Sequence, residues 1–141
     1  MHNFDLQHTL LAKHAQHIVL VHFPIALVCV ALLFDLLEFR RRDGNWATAA
    51  YYNLTIAAAA AIPVVVTGLL AWRLQLEGEP MRGVLRLHLV LGITSAVLIL
   101  STWWSARQSS SRTRRVAMEA LTVMVIAATA HLGGIGAGLV S

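Results

Sequence analysis

Residues 18–39 read IVLVHFPIALVCVALLFDLLEF. The run carries no acidic or basic side chain except His22 until Asp35. It is long enough to cross a bilayer, which takes about 20 mostly apolar residues in a helix. Three further stretches share this character: residues 48–72 (TAAYYNLTIAAAAAIPVVVTGLLAW), 84–104 (VLRLHLVLGITSAVLILSTWW) and 116–139 (VAMEALTVMVIAATAHLGGIGAGL). None alternates apolar and polar residues with period two, which argues against a β-barrel. A helix satisfies its backbone within one segment and is the alternative way to span. Composition agrees. Of 141 residues, 57% are hydrophobic and 13% charged, whereas soluble chains run roughly 45–50% apolar and about 25% charged. The expected fold is all-α, an integral membrane up-and-down four-helix bundle forming a single domain over residues 1–141.

Working outward, the gaps between spans hold the charge. Arg40, Arg41, Arg42, Arg107, Arg112, Arg114 and Arg115 fall on one side; Lys13, Arg73, Arg82 and Arg86 fall on the other. The positive-inside rule puts the richer side in the cytoplasm. Both termini then face the periplasm of a bacterial inner membrane, with RLQLEGEPMRG as the longer outer loop. A sequence pI near 10.2 reflects these gap charges and does not imply nucleic acid. Trp72, Trp103 and Trp104 lie near span ends, as in an interfacial belt. The single Cys29 excludes a disulfide framework, and no C-x-x-C-H attaches a haem covalently. The first residues, MHNFDLQHTLLAKHAQH, resemble neither a signal peptide nor a transit peptide. Asp35 and Glu38 are expected to pair with the adjacent Arg40, Arg41 and Arg42. Glu119 is expected to pair with Arg115, its i, i+4 neighbour. Cys29 reads as packing at a helix interface.

The histidines are the informative polar residues, because ionisable groups inside a span are costly and mark function. Counting from the arginine edge at about 1.5 Å per residue, His22 sits roughly 27 Å up, His88 roughly 28 Å and His131 roughly 24 Å. His17 sits roughly one turn beyond His22, near 34 Å. Three imidazoles on three helices thus share a level. His88, Gly92 and Ser95 fall on one stripe. Met124, Ala127, Ala128 and His131 share a face of the fourth span, and Ala60, Val64 and Gly68 form a small-residue stripe on the second. A b-type haem takes axial ligands from opposite sides, often two imidazoles, in a slot of small and apolar residues. In an up-and-down bundle the first and third helices are diagonal, so His22 and His88 are the expected pair. Arg73, Arg82 and Arg86 are placed to bind propionates. His131 is then a propionate partner or a ligand of something else. A second haem would use His17 and His131. A zinc or copper ion on His22, His88 and His131 is the rival chemistry.

The segment His17-Ile-Val-Leu-Val-His22-Phe-Pro-Ile-Ala-Leu resembles a bacterial four-helix membrane family, domain of unknown function 2231. Members look like H-P-x-x-V-H-F-P-I-A-L there. They also resemble this chain at Leu87-His88-x-x-x-Gly92 and at His131-Leu-Gly-Gly. The resemblance implies a four-helix fold and carries over His17, His22, His88 and His131 as the shared histidines. Its members look like cytochrome-linked membrane components. Two departures stand out: Ile18 replaces the usual proline, and the tail after Gly134 lacks a further histidine.

Three functions follow as expectations. The first is a membrane-embedded b-type haem protein that passes electrons near the outer membrane face, within a larger redox complex or with an electron-donor protein. The second is a cofactor-free structural subunit of a respiratory or photosynthetic complex, its small-residue stripes packing against neighbours. The third is the tri-histidine metal site, disfavoured because no carboxylate lies at that level to act as a base.

Overall fold

The computed structural model describes residues 13–42, 44–75, 82–108 and 111–136. It consists of α1 (Lys13–Arg41), α2 (Asn45–Gln75), α3 (Gly83–Arg107) and α4 (Arg112–Gly136). All four are long and apolar enough to cross a membrane, and no strand occurs among the described residues. α1 packs most extensively on α2 and α3 on α4; the α2–α3 and α1–α4 contacts complete the ring. The bundle is therefore two helical hairpins laid side by side, with α1 diagonal to α3. One end gathers Arg41, Arg42, Arg107, Arg112 and Arg114 and is called the arginine end below. The other carries His17 and His88 and is called the histidine end.

The α1–α2 hairpin is tight because α2 supplies a run of alanines, residues 57–61. Ala57, Ala58 and Ala61 are buried with Val28, Ile99 and Ile126. Small side chains let helix backbones approach closely where lipid offers no hydrophobic drive. A second cluster, Ala31, Ala50, Leu54 and Ala106, continues toward the arginine end. The bulky apolar side chains point outward instead: Phe23, Leu33, Tyr52, Ile62, Val97 and Met124 are all exposed, the surface a bilayer covers.

Polar residues obey the reverse rule. Asp35, Glu38, Ser95, Thr102, Ser105, Glu119 and Thr122 are buried, since in hydrocarbon their hydrogen bonds must come from protein. Thr102 and Thr122 join α3 to α4 by their hydroxyls at 3.2 Å, as Ser95 and Thr129 do at 3.1 Å. This pull decides the facing of α4. Its inward stripe is Glu119, Thr122, Ile126 and Gly133, whereas Met124, Ala127, Ala128 and His131 are exposed.

The acidic residues depart from local pairing. Asp35 on α1 receives both Nε and a terminal guanidinium nitrogen of Arg115 on α4. Glu38 faces Arg112 of α4 at 3.4 Å. It also accepts the backbone N–H groups of Gly44 at 3.1 Å and Ala47 at 3.3 Å. Glu38 thus caps the N-terminus of α2, where orphan N–H groups and the helix dipole favour a carboxylate. The chain reverses there through Arg42 and Gly44, both at positive φ (55° and 80°). Arg40, Arg41 and Arg42 are exposed, and Arg41 stacks over Trp46 at 5.8 Å. The expected pairing of Asp35 and Glu38 with those three arginines is corrected accordingly. So is the pairing of Glu119 with Arg115, whose guanidinium is committed to Asp35. The reason is that α4 begins at Arg112 rather than 116, which brings Arg112 and Arg115 onto the helix and turns them toward α1.

Candidate functional site

At the histidine end the two hairpins stand apart and leave a cavity of about 550 Å³. That lies within the roughly 300–1,000 Å³ typical of small-molecule and cofactor sites. All four helices line it. α2 presents Ala61, Val64 and Gly68, α3 presents Gly92 and Ala96, and α4 presents Thr129, Ala130, Gly133 and Gly134. Three imidazoles reach it: His17 and His22 from α1 and His88 from α3.

Two of these histidines sit in matching surroundings. The His17 ring lies against Gly68 of α2, so close that a β-carbon there would stand 3.0 Å from Cε1. The His88 ring lies against Gly133 of α4, where a β-carbon would stand 2.9 Å from Cε1. His17 Nδ1 is 3.2 Å from the Thr67 hydroxyl. His88 Nδ1 is 2.9 Å from the Thr129 carbonyl. Each imidazole of the first helix in a hairpin is therefore anchored and flanked by threonine and glycine of the second. Both histidines are half-buried.

The anchors give Nδ1 of each ring a donor role. A carbonyl only accepts, so His88 Nδ1 carries the proton. Thr67 has one hydroxyl proton, and it is directed to carbonyls of its own helix, Pro63 at 2.8 Å or Val64 at 3.0 Å. Its oxygen then accepts from His17, whose Nδ1 is likewise the donor. A neutral ring held in this way has its lone pair on Nε2, the nitrogen a metal centre takes when the other is held by a hydrogen bond.

His22 differs. It is exposed, and Nδ1 donates to Ile18 O of its own helix at 2.6 Å. It lines the cavity without a glycine seat from a neighbouring helix. His131 is exposed and does not line the cavity, because it shares the outward face of α4 with Ala127 and Ala128. The three histidines expected to share a metal ion are thus not brought together. Among the described residues no three His, Cys, Asp or Glu side chains converge on a metal-sized site. Arg73, Arg82 and Arg86 are exposed at the histidine end. Cys29 is exposed rather than packed at an interface.

The anchoring threonines and seating glycines escape a search for ligand types. The one visible trace is their placement, Thr67-Gly68 and Thr129 with Gly133, on the helix that follows each histidine.

The fold and cavity define a class: a four-helix membrane protein whose spans enclose an imidazole-flanked apolar site at one end. The chain belongs to the family of predicted membrane proteins DUF2231, whose family model matches residues 13–139. No curated protein and no solved structure matches it.

Proposed function

We propose that the protein is a membrane-embedded b-type haem protein, with His17 and His88 as the residues that would hold the iron. The observation that carries this reading is the matched setting of those two rings. They stand on diagonal helices, border one cavity, are each held at Nδ1 by the next helix and rest on a glycine each. These residues fit haem by donor chemistry: two imidazoles held at Nδ1, and a slot faced by glycine, alanine and branched apolar side chains. A haem held there supplies one-electron transfer. His17 and His88 orient the ligating nitrogens through Thr67 and Thr129. Val64, Ala96 and Ile99 exclude water. Arg73, Arg82 and Arg86 offer guanidinium groups for propionates at the same end. The positive-inside bias puts that end at the outer face of a bacterial inner membrane, where a larger redox complex or an electron-donor protein is the partner. His17 replaces His22 in the expected pairing because it is anchored by a second helix, while His22 is fixed only to its own.

The test is an optical spectrum of protein purified after haem-replete expression. A six-coordinate b-type reduced-minus-oxidised signature is expected. His17→Ala and His88→Ala abolish six-coordination, and His22→Ala retains it. A haem-free wild-type protein would refute the reading. Loss in His22→Ala with retention in His17→Ala would restore the His22–His88 pair.

A further inference from the structure

The arginine end holds a group that the haem reading does not use. Glu119 is buried completely. Both of its carboxyl oxygens are inaccessible and accept no hydrogen bond from any N–H or O–H of the described residues. Ionised carboxylates shed from water need donors or a counter-ion. Neighbouring carboxylates elsewhere in the protein have them: Asp35 has Arg115, and Glu38 has Arg112 with the N-terminus of α2. The charged groups that act on Glu119 are the Asp35 carboxyl and, one turn away on its own helix, the Arg115 guanidinium that holds Asp35.

Two carboxyl groups can bond only through a proton. Charge balance asks for the same thing. Asp35, Glu119 and Arg115 together bring two potential negative charges and one positive one into a segment that crosses the membrane. One bound proton makes the group neutral.

From this geometry we infer that Asp35 and Glu119 form a proton-binding site between α1 and α4, on the arginine side of the bundle. One O–H, carried by Glu119, is donated to an Asp35 oxygen. Release delivers one proton to water and leaves two carboxylates facing one guanidinium. Among the described residues, Asp35 and Arg115 are the charged groups that act on Glu119. α4 contributes Arg115 and the Thr122 hydroxyl, α1 contributes Asp35 with Glu38 one turn on, and the packed face of α3 offers Thr102 and Ser105. At this level α2 presents Ala50 and Leu54, with Tyr51 beside them. The inference is independent of haem.

The experiment is infrared spectroscopy of the full-length chain in lipid nanodiscs, prepared without haem. At neutral pH the wild-type protein should show the C=O stretch of a buried protonated carboxylic acid. That band should move on ¹³C-glutamate labelling, shift in D₂O and vanish in Glu119→Gln. The glutamine keeps the shape of the protonated acid, so circular dichroism should be unchanged. The labelled wild-type protein carries the test even if the variant folds poorly. Absence of the band, or its survival in a folded Glu119→Gln, would overturn the inference. So would its disappearance on replacing choline by sodium at constant ionic strength, which would identify a cation site instead.

Discussion

Gly133→Ala is the sharpest perturbation of the histidine end. The added β-carbon would sit 2.9 Å from His88 Cε1. Carbon atoms pack at about 3.5–4.0 Å, so the ring must retreat by roughly 0.6 Å or more. The ring is anchored from Nδ1 to Thr129 O at 2.9 Å, and that displacement carries the pair toward or past hydrogen-bond range. The lost bond is worth about 0.5–1.5 kcal/mol. Overpacking adds about 1–3 kcal/mol, and alanine returns at most about 1 kcal/mol of helix propensity. The sum is a net destabilisation on the order of 1–3 kcal/mol. Gly68→Ala meets His17 Cε1 at 3.0 Å and should behave alike. Gly92→Ala is the internal control. Its β-carbon meets only the Thr129 methyl at 3.9 Å, an ordinary contact, although Gly92 lines the same cavity. The assays are reversible unfolding in mixed micelles and ¹⁵N imidazole NMR, which reports the tautomer and the Nδ1 hydrogen bond. Equal stability of the Gly133→Ala and Gly92→Ala proteins, with an unchanged His88 spectrum, would refute the idea that glycine seats the imidazole.

Further outcomes follow from the same contacts. Thr67→Val removes the side-chain acceptor of His17 and should perturb its ¹⁵N signals; Thr129→Val leaves the carbonyl that holds His88 and should not, costing the hydroxyl's bonds to Ser95 and to Val125 O, each worth about 0.5–1.5 kcal/mol by chemical denaturation. Arg115→Ala strands the fully buried Asp35 and should cost about 3–5 kcal/mol, whereas Arg112, whose side chain is 34% exposed, should cost about 0–1 kcal/mol when replaced by alanine. The double replacement Asp35→Leu with Arg115→Met should recover most of the loss in the same unfolding assay, since apolar substitutes for a buried pair are often neutral or better. A phosphatase fused to the C-terminus should be active and a fluorescent protein there dark, as a periplasmic terminus requires; the opposite pattern would reverse the orientation.

The spans were legible because each is an uninterrupted apolar run, and bilayer thickness leaves a helix of that length few alternatives. The facing of α4 was not. Its inward and outward stripes both contain alanines, and Met124 with His131 makes the outward one look like a site. What orients the helix is the cost of exposing Glu119, Thr122 and Thr129 to hydrocarbon, together with partners on α3 and α1 that no local pattern reveals. The ion pairs were misread for a related reason. Arg115 and Glu119 stand one turn apart and look complementary, yet Asp35 is 80 residues from Arg115 in sequence. Height along the helix can be counted from the sequence and singles out His22 and His88, whereas the neighbour that anchors each ring, Thr67 for His17 and Thr129 for His88, cannot be read from it.

These two ends divide the mechanical work of the bundle. Packing is densest within the hairpins and sparser between α1 and α4. Both ion pairs cross that sparser interface. Each pair has a fixed reach, so the hairpins are tied in register where apolar contact is least able to do so. Fastened there, they need not close at the other end. Glycine and alanine at Gly68, Gly92, Gly133 and Gly134 then leave width between α1 and α3 that larger side chains would fill. A bundle held by packing alone would gain by collapsing that width. Here the polar clamp at the arginine end and the two histidine anchors at the other make collapse costly, because it would have to displace His17 from Thr67 or His88 from Thr129.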